Sequence, residues 1–463
     1  MAGHTNSIPT ELGTEKVGKL LKQYALPAII AQTASSLYNM VDSIFIGQGV
    51  GPLAISGLAV TFPLMNLSTA FGTLVGAGAA TMLSVLLGQK NYKAANKVLG
   101  NVVTLNTIIG VIFMAVALIF IDPILYFFGA SENTLPYAKE YITIILIGNV
   151  ITHLYFGLNA AMRSSGNPKK AMGLTIFTVV FNAILDPIFI FGLDLGIAGA
   201  AWATVIAQTA AMFVVLHHFN NKERPFHFEK GIFRLDMRVA KDSLAIGMGP
   251  FLMNAAACLV TLFINQQLRK YSGDLGIGAY GICNRLIFMF IMICMGLNQG
   301  MQPIAGYNYG ARQYSRVKEV FWKTARLGTV ITTICFATGM FIPRLAAGIF
   351  THDEALLEMS ATGMRLMTLA FPIVGFQMIG TNFFQSLGMV KKSVILSLSR
   401  QILFLLPLLY ALPRWIGAEG VWISFPIADT ISTILTAVLL GNLFKKFNSL
   451  KDGDDPSILG SQL

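Results

Sequence analysis

Carboxylates are scarce in this chain, so the few that interrupt its apolar stretches carry the chemistry. Of 463 residues only 22 are Asp or Glu. The ionisable groups set inside apolar segments are chiefly Asp42, Asp186, Arg285 and Asp429, with Arg400 nearer a segment end. A charge in such a segment is costly unless it faces a cavity or a partner, which makes each one a candidate for binding an ion or a ligand. Asp186 follows Asn182 by one helical turn, so its carboxylate and the amide share a face. Pro187 comes next, and its missing N–H and its ring disturb the hydrogen bond to the Ala183 carbonyl, bending the helix and freeing an oxygen ligand. Carboxylate, amide oxygen and loosened carbonyl suit a hard cation, or a proton held on the carboxyl. Asp42 stands near the outer end of the first segment with Tyr38 a turn before it and Asn39 adjoining; a solvated helix-end acid is the alternative reading. Two acids sharing one dry cavity cannot both stay ionised, which makes a proton switch.

Long apolar segments must position these groups. The chain is 54% hydrophobic and 12% charged, with a mean hydropathy of +0.65, whereas soluble domains carry about 25% charged residues. Stretches such as 102–121, 173–191 and 251–264 match the length and composition of bilayer-spanning helices. The net charge of +11 does not mark a nucleic-acid partner. Most of the 33 Lys and Arg cluster in alternate loops, among them Lys90/Lys93/Lys97, Lys169/Lys170, 222–241 and 312–326. This positive-inside pattern places both termini in the cytoplasm, as expected of a multi-pass protein in a bacterial inner membrane. The first segment lacks a cleavage signature and is expected to be retained. Cys258, Cys283, Cys294 and Cys335 lie in apolar segments without metal spacing and are expected to pack.

A period of about 222 residues relates the two halves of the chain. Gly88-Gln-Lys-Asn-Tyr92 falls on Gly310-Ala-Arg-Gln-Tyr314, Gly166 and Lys169-Lys170 on Gly388 and Lys391-Lys392, Pro27 on Pro250, and Gly196/Gly199/Trp202 on Gly417/Gly420/Trp422. Each half divides into six apolar segments. The expected architecture is therefore an all-α integral membrane protein of 12 transmembrane helices in two pseudo-symmetric six-helix lobes. Residues 1–16 form a cytoplasmic segment, 17–219 the first lobe, 220–239 a basic linker, 240–446 the second lobe and 447–463 a tail. Two parallel lobes around a cleft suit alternating access by rocking. No GxxxxGK[ST] loop is present, so the expected energy source is an ion gradient. The repeat is also a control: Leu406-Pro407 stands where the first half has Asp186-Pro187, so the scaffold keeps the proline without the acid.

The segment Asn298-Gln-Gly-Met-Gln302-Pro303-Ile-Ala-Gly306-Tyr307-Asn308-Tyr309-Gly310-Ala311 resembles a signature of the multidrug and toxic compound extrusion (MATE) family. Pro27 with Asp42-Ser-Ile-Phe-Ile-Gly47, Gly76-Ala-Gly78-Ala, Arg163-Ser-Ser-Gly166-Asn-Pro168 and Asn182-Ala-Ile-Leu-Asp186-Pro187 agree in order and spacing over essentially the whole chain. The resemblance implies the MATE-like fold and export of small organic, often cationic, compounds in exchange for H⁺ or Na⁺. It implies a coupling site at Asp42, Asn182, Asp186 and Thr204, with Tyr38 and Asn159 nearby. Pro27 and Pro187 are the expected hinges. No cofactor and no resident metal are expected, and the protein is expected to act as a monomer in the lipid bilayer. Some members place acids in the seventh and tenth helices; here those cores lack carboxylates, which argues against a cation site of that kind in the second half.

In the second half, Asn254, Arg285, Gln302 and Asp429 are candidate polar contacts, and Asp429, opposed in the repeat by Gln208, is expected to pair with Arg285 as a structural or gating contact. Other amides there read as interhelical hydrogen bonds. Met289, Met292 and Met295 with Phe288 and Phe290 either line an adaptable pocket or simply pack. Three rivals remain at this level: a MATE-like flippase of lipid-linked oligosaccharides, which a cavity rich in Arg and Lys would favour, a membrane enzyme using Asp42 and Asp186, and a passive channel, which would show downhill flux without exchange. The six scattered histidines form no metal pair within a helix, which weighs against the enzyme.

Overall fold

The computed structural model describes residues 10–50, 52–222, 226–229, 231, 234–350 and 352–455, and among these the side chains of all but 37–44, 47–48, 52, 55–56 and 274. The first half contains α1 (Val17–Gly49), α2 (Pro52–Gly88), α3 (Tyr92–Ile119), α4 (Leu135–Ile147), α5 (Asn149–Ser164), α6 (Pro168–Pro187) and α7 (Gly196–Asn220). The second half contains α8 (Met237–Gly273), α9 (Leu275–Gly310), α10 (Tyr314–Phe341), α11 (Glu354–Met367), α12 (Phe371–Ser386), α13 (Val390–Leu398), α14 (Leu406–Ile416) and α15 (Ala418–Asn448). Gly273, at φ 63°, breaks α8 from α9 in a region of backbone space open to glycine.

Among the described residues nine helices are long and apolar enough to cross a membrane. Two further spans are helix pairs, α4–α5 bent by 53° and α11–α12 bent by 58°. With the 33-residue α1 these account for the twelve expected crossings. Their outer faces are apolar: Ile112, Val180, Ile184, Phe213 and Leu403 are all exposed. A soluble fold would bury such residues, and here lipid takes the place of a core.

The chain forms two compact units. One holds Ile30–Phe251, and the other holds Glu15–Ile29 together with the chain from Leu252. The changeovers fall inside α1 and α8, just after Pro27 and Pro250. In both places the proline removes a helical hydrogen bond at the point where the helix leaves one unit for the other. Small residues let these helices dock closely. A Cβ on Gly247 of α8 would stand 1.7 Å from the Leu74 carbonyl oxygen of α2 within the first unit. In the second unit, a Cβ on Gly300 of α9 would stand 2.4 Å from Ala25 Cα of α1.

Within each half, corresponding helix pairs pack through exchanged side-chain sizes. In the first half a Cβ on Gly157 of α5 would lie 2.2 Å from Asn106 Nδ2 of α3, and one on Gly110 of α3 would lie 3.4 Å from His153 Nδ1 of α5. The repeat carries Asn106, Gly110, His153 and Gly157 onto Gly328, Thr332, Gly375 and Ile379. There the added Cβ of Gly328 would meet Ile379 at 2.9 Å and that of Gly375 would meet Thr332 Oγ1 at 2.6 Å. Each contact keeps one large and one small partner, while the helix supplying each is reversed. Interdigitation at fixed helix spacing demands the sum of volumes, not either residue alone.

The helix starts after the two matched loops are also capped differently. Asn91 accepts from Ala94 N at 3.2 Å and caps α3. Gln313 makes no such bond at the start of α10. Asp452, after α15, takes over: its Oδ1 accepts from Ser315 N at 3.0 Å and its Oδ2 from the Ser315 hydroxyl. Gly453 N donates to Arg312 O at 2.8 Å, and the Tyr314 hydroxyl donates to Asp454 O at 2.8 Å.

Candidate functional site

The first unit has a polar core on α5, α6 and α7. Thr175, Thr178, Asn182 and Asp186 recur on α6 at helical spacing and form one polar stripe on an otherwise apolar helix. The opposite face carries the exposed Phe177, Val180 and Ile184. The stripe is therefore turned inward by the apolar residues behind it as much as by its own partners.

At the lower end of the stripe, Asp186 is wholly buried, Asn182 is 1% exposed and Thr204 is 7% exposed. With its amide oriented to satisfy both ends, Asn182 donates to Asp186 Oδ2 at 3.0 Å. Its oxygen accepts from Thr204 Oγ1 at 3.2 Å and from Thr204 N at 3.0 Å. A carboxylate, an amide and a hydroxyl from α6 and α7 thus lie in one hydrogen-bonded line. Pro187 closes α6, and the chain continues as a π-helical turn, Ile188–Gly192, with Leu193 N donating to Ile188 O at 2.9 Å. Such a turn widens the helix beside the carboxylate.

At the other end of the stripe, Asn159 Nδ2 donates to Thr175 Oγ1 at 3.1 Å and the Tyr155 hydroxyl donates to the same oxygen at 3.3 Å. Thr178 Oγ1 in turn donates to the Tyr155 hydroxyl at 3.5 Å. Asn159 Oδ1 is buried without a hydrogen-bond partner. Thr152 of α5 donates to Gln208 Oε1 of α7, one turn from Thr204. Asn182, Asp186 and Thr204 are brought together, while Asn159 joins the same stripe two turns away. Tyr155, Thr175 and Thr178 are additions to the site; the polar period along 175–186 was the sequence signal for the threonines. The side chains of Tyr38 and Asp42 lie outside the described residues, within α1.

The second unit has its own polar core on the corresponding helices, and it corrects one expectation. Asp429 does not pair with Arg285, which is exposed on α9. It pairs with Arg400, whose Nε donates to Asp429 Oδ1 at 2.6 Å. Arg400 reaches it from a π-helical stretch, Ser399–Leu405, between α13 and α14. The locally widened helix changes which residue faces α15 there, a feature that residue spacing does not reveal. Of the other candidates in this half, Gln302 is buried and Asn254 partly buried. Among the described residues, no group of three or more His, Cys, Asp or Glu is arranged to hold a metal ion.

This fold and these sequences have known counterparts. The MatE family model matches residues 27–188 and 250–411, once in each half. The multidrug export protein MepA of Staphylococcus aureus (strain MRSA252) is 28% identical over 92% of this chain and 93% of its own. The MATE multidrug transporter DinF-BH, solved in complex with a ligand, is 36% identical, with a TM-score of 0.88 over 97% of this chain and all of that one. An outward-facing MATE family multidrug resistance transporter superposes with a TM-score of 0.89 at 21% identity, over 96% of this chain. The twice-matched family model, the two-lobed fold and the multidrug exporters among its relatives agree, and the chain belongs to the MatE family as a multidrug efflux transporter, not an enzyme.

Proposed function

We propose that the protein exports small organic cations from the cytoplasm in exchange for H⁺ or Na⁺ bound at Asp186, Asn182 and Thr204, with Asp42 of α1 as a second acid. The observation that carries this reading is a wholly buried carboxylate, held by an amide at 3.0 Å, at a place where the other half of the repeat has Leu406. A buried acid that the scaffold can do without is retained for what it binds. The multidrug names of the relatives, an exporter and a transporter among them, support an organic cargo.

In this mechanism the cation arrives from outside and neutralises the acids. The dry core then accepts them without their charge, and helix packing around α6 and α7 relaxes. Pro27 and Pro250 give α1 and α8 the freedom to bend at the points where they change units. Each charge moving down a potential of about 100 mV contributes roughly 2.3 kcal/mol to the cycle. The test uses purified protein in liposomes, with pH and Na⁺ gradients imposed separately and a fluorescent organic cation as cargo. Asp186→Asn is expected to insert and fold normally and to lose uphill export. Gradient-driven export at the wild-type rate would overturn the assignment.

A further inference from the structure

The polar cores of the two units occupy matching helices yet set different side chains against their buried acids, Asn182 beside Asp186 and Arg400 beside Asp429. The repeat carries Tyr155 and Asn159 onto Gln377 and Thr381, and Gln208 onto Asp429. In the second unit Gln377 Nε2 donates to Ser432 Oγ at 3.2 Å and to Thr381 Oγ1 at 3.3 Å, and Thr433 Oγ1 donates to the Asp429 carbonyl at 2.7 Å. Ser432 and Thr433 stand one turn after Asp429 on α15, and in the Arg400–Asp429 pair the Asp429 side chain is 4% exposed and that of Arg400 22%. Between Lys170 and Lys222 the first half contains no Lys or Arg at all. Over the matching stretch the second half places a guanidinium directly on its buried acid.

We infer that Arg400 is a built-in substitute for an exchangeable cation: it keeps the second unit's core neutral throughout the cycle, and its removal opens a latent monovalent-cation site at Asp429. The inference rests on the coupling role given above to Asp186. Its physical basis is that an ionised acid in a span must be neutralised, and a side chain does so permanently where a solution ion does so reversibly. The Asp429 carboxylate and, one turn on along α15, the Ser432 hydroxyl are oxygens of the hard type that Na⁺ or a protonated carboxyl uses. A transporter with one exchanging core and one locked core couples through a single lobe, although both lobes descend from one scaffold.

The test measures cation binding to the full-length protein in detergent, using radioactive Na⁺ at fixed pH and a pH-indicator dye in weak buffer for H⁺. Wild type is expected to show one saturable component, diminished by Asp186→Asn and unaffected by the paired change Arg400→Gln with Asp429→Asn. Arg400→Gln alone is expected to add a second component, which survives in the background of Asp186→Asn and is absent when Asp429→Asn is added. Arg400→Lys, which keeps the charge, is expected to add none. A monodisperse Arg400→Gln protein without a second component overturns the inference. So does loss of the wild-type component in the paired variant, which removes both charges together and decides the matter even if Arg400→Gln alone does not fold. A wild-type component untouched by Asp186→Asn refutes the coupling site instead and leaves the Asp429 comparison standing.

Discussion

Replacing Gly157 with Ala tests whether the exchanged side-chain sizes hold the α3–α5 contact together. The new Cβ would sit 2.2 Å from Asn106 Nδ2 and 2.9 Å from Val102 Cγ1. Asn106 is fully buried on α3, and neither atom of its amide has a hydrogen-bond partner, so it has no polar anchor to follow when pushed. Overpacking of this kind costs about 1–3 kcal/mol. For a unit of this size that lowers the unfolding midpoint by roughly 2–4 °C per kcal/mol. Adding Asn106→Ala removes the tighter of the two contacts, leaving only the end of the Val102 side chain to shift, and also removes a buried amide whose unmet hydrogen bonds cost about 1–3 kcal/mol. The double variant is therefore expected to melt at or above wild type, with a coupling energy well outside additivity. At the same repeat position in the second half the large residue is Ile379, so Ile379→Ala should destabilise by the opposite route, a cavity worth about 2–5 kcal/mol. The assay is thermal unfolding of detergent-solubilised protein followed by size-exclusion recovery. Additive effects of Asn106→Ala and Gly157→Ala, or a Gly157→Ala protein melting with wild type, would refute the reasoning.

Glycine at the α2–α8 contact should behave as a backbone-limited position: Gly247→Ala, whose Cβ would meet the Leu74 carbonyl, is expected to cut the yield of folded protein sharply, while Gly173→Ala, with nothing within 4 Å, leaves it unchanged. Expression monitored by fluorescence-detected size exclusion separates the two outcomes. The cap that Asp452 provides should depend on pH. Burial pushes its carboxyl up, but hydrogen bonds from Ser315 and Tyr314 outweigh that and hold it below the usual range. A depressed carboxyl contributes in full above its ordinary pKa of about 4 and loses its contribution as pH falls through the lowered value. Hydrogen exchange over 312–318 is expected to accelerate in that acid window in wild type and at all pH values in Asp452→Asn; protection that stays constant into acid would contradict the cap.

The residues of the proposed coupling site were visible as isolated letters because lipid makes ionisable groups rare. Asn182 and Asp186 needed only helical spacing to be set together, and Leu406 in the repeat separated function from scaffold. The Thr204 partnership came through family resemblance: Thr204 and Gln208 stand one turn apart on the largely apolar α7, but that spacing does not say that Thr204 meets α6. The Arg285–Asp429 expectation failed because two charged residues in one half were matched by scarcity, without knowledge of the π-helical stretch that brings Arg400 round to α15.

By itself the sequence determined the solvent, the number of crossings, the twofold repeat and the asymmetry of its acids, all of which follow from composition and period. Tertiary structure alone decided which small residue faces which large one, which acid meets which base, and that α1 and α8 each divide between two units at a proline. The reason is that periodicity along one helix states which face is buried, whereas the identity of the neighbour depends on the rotation and register of a second helix, and a lipid-exposed helix that is apolar on every side carries no amphipathic mark of either.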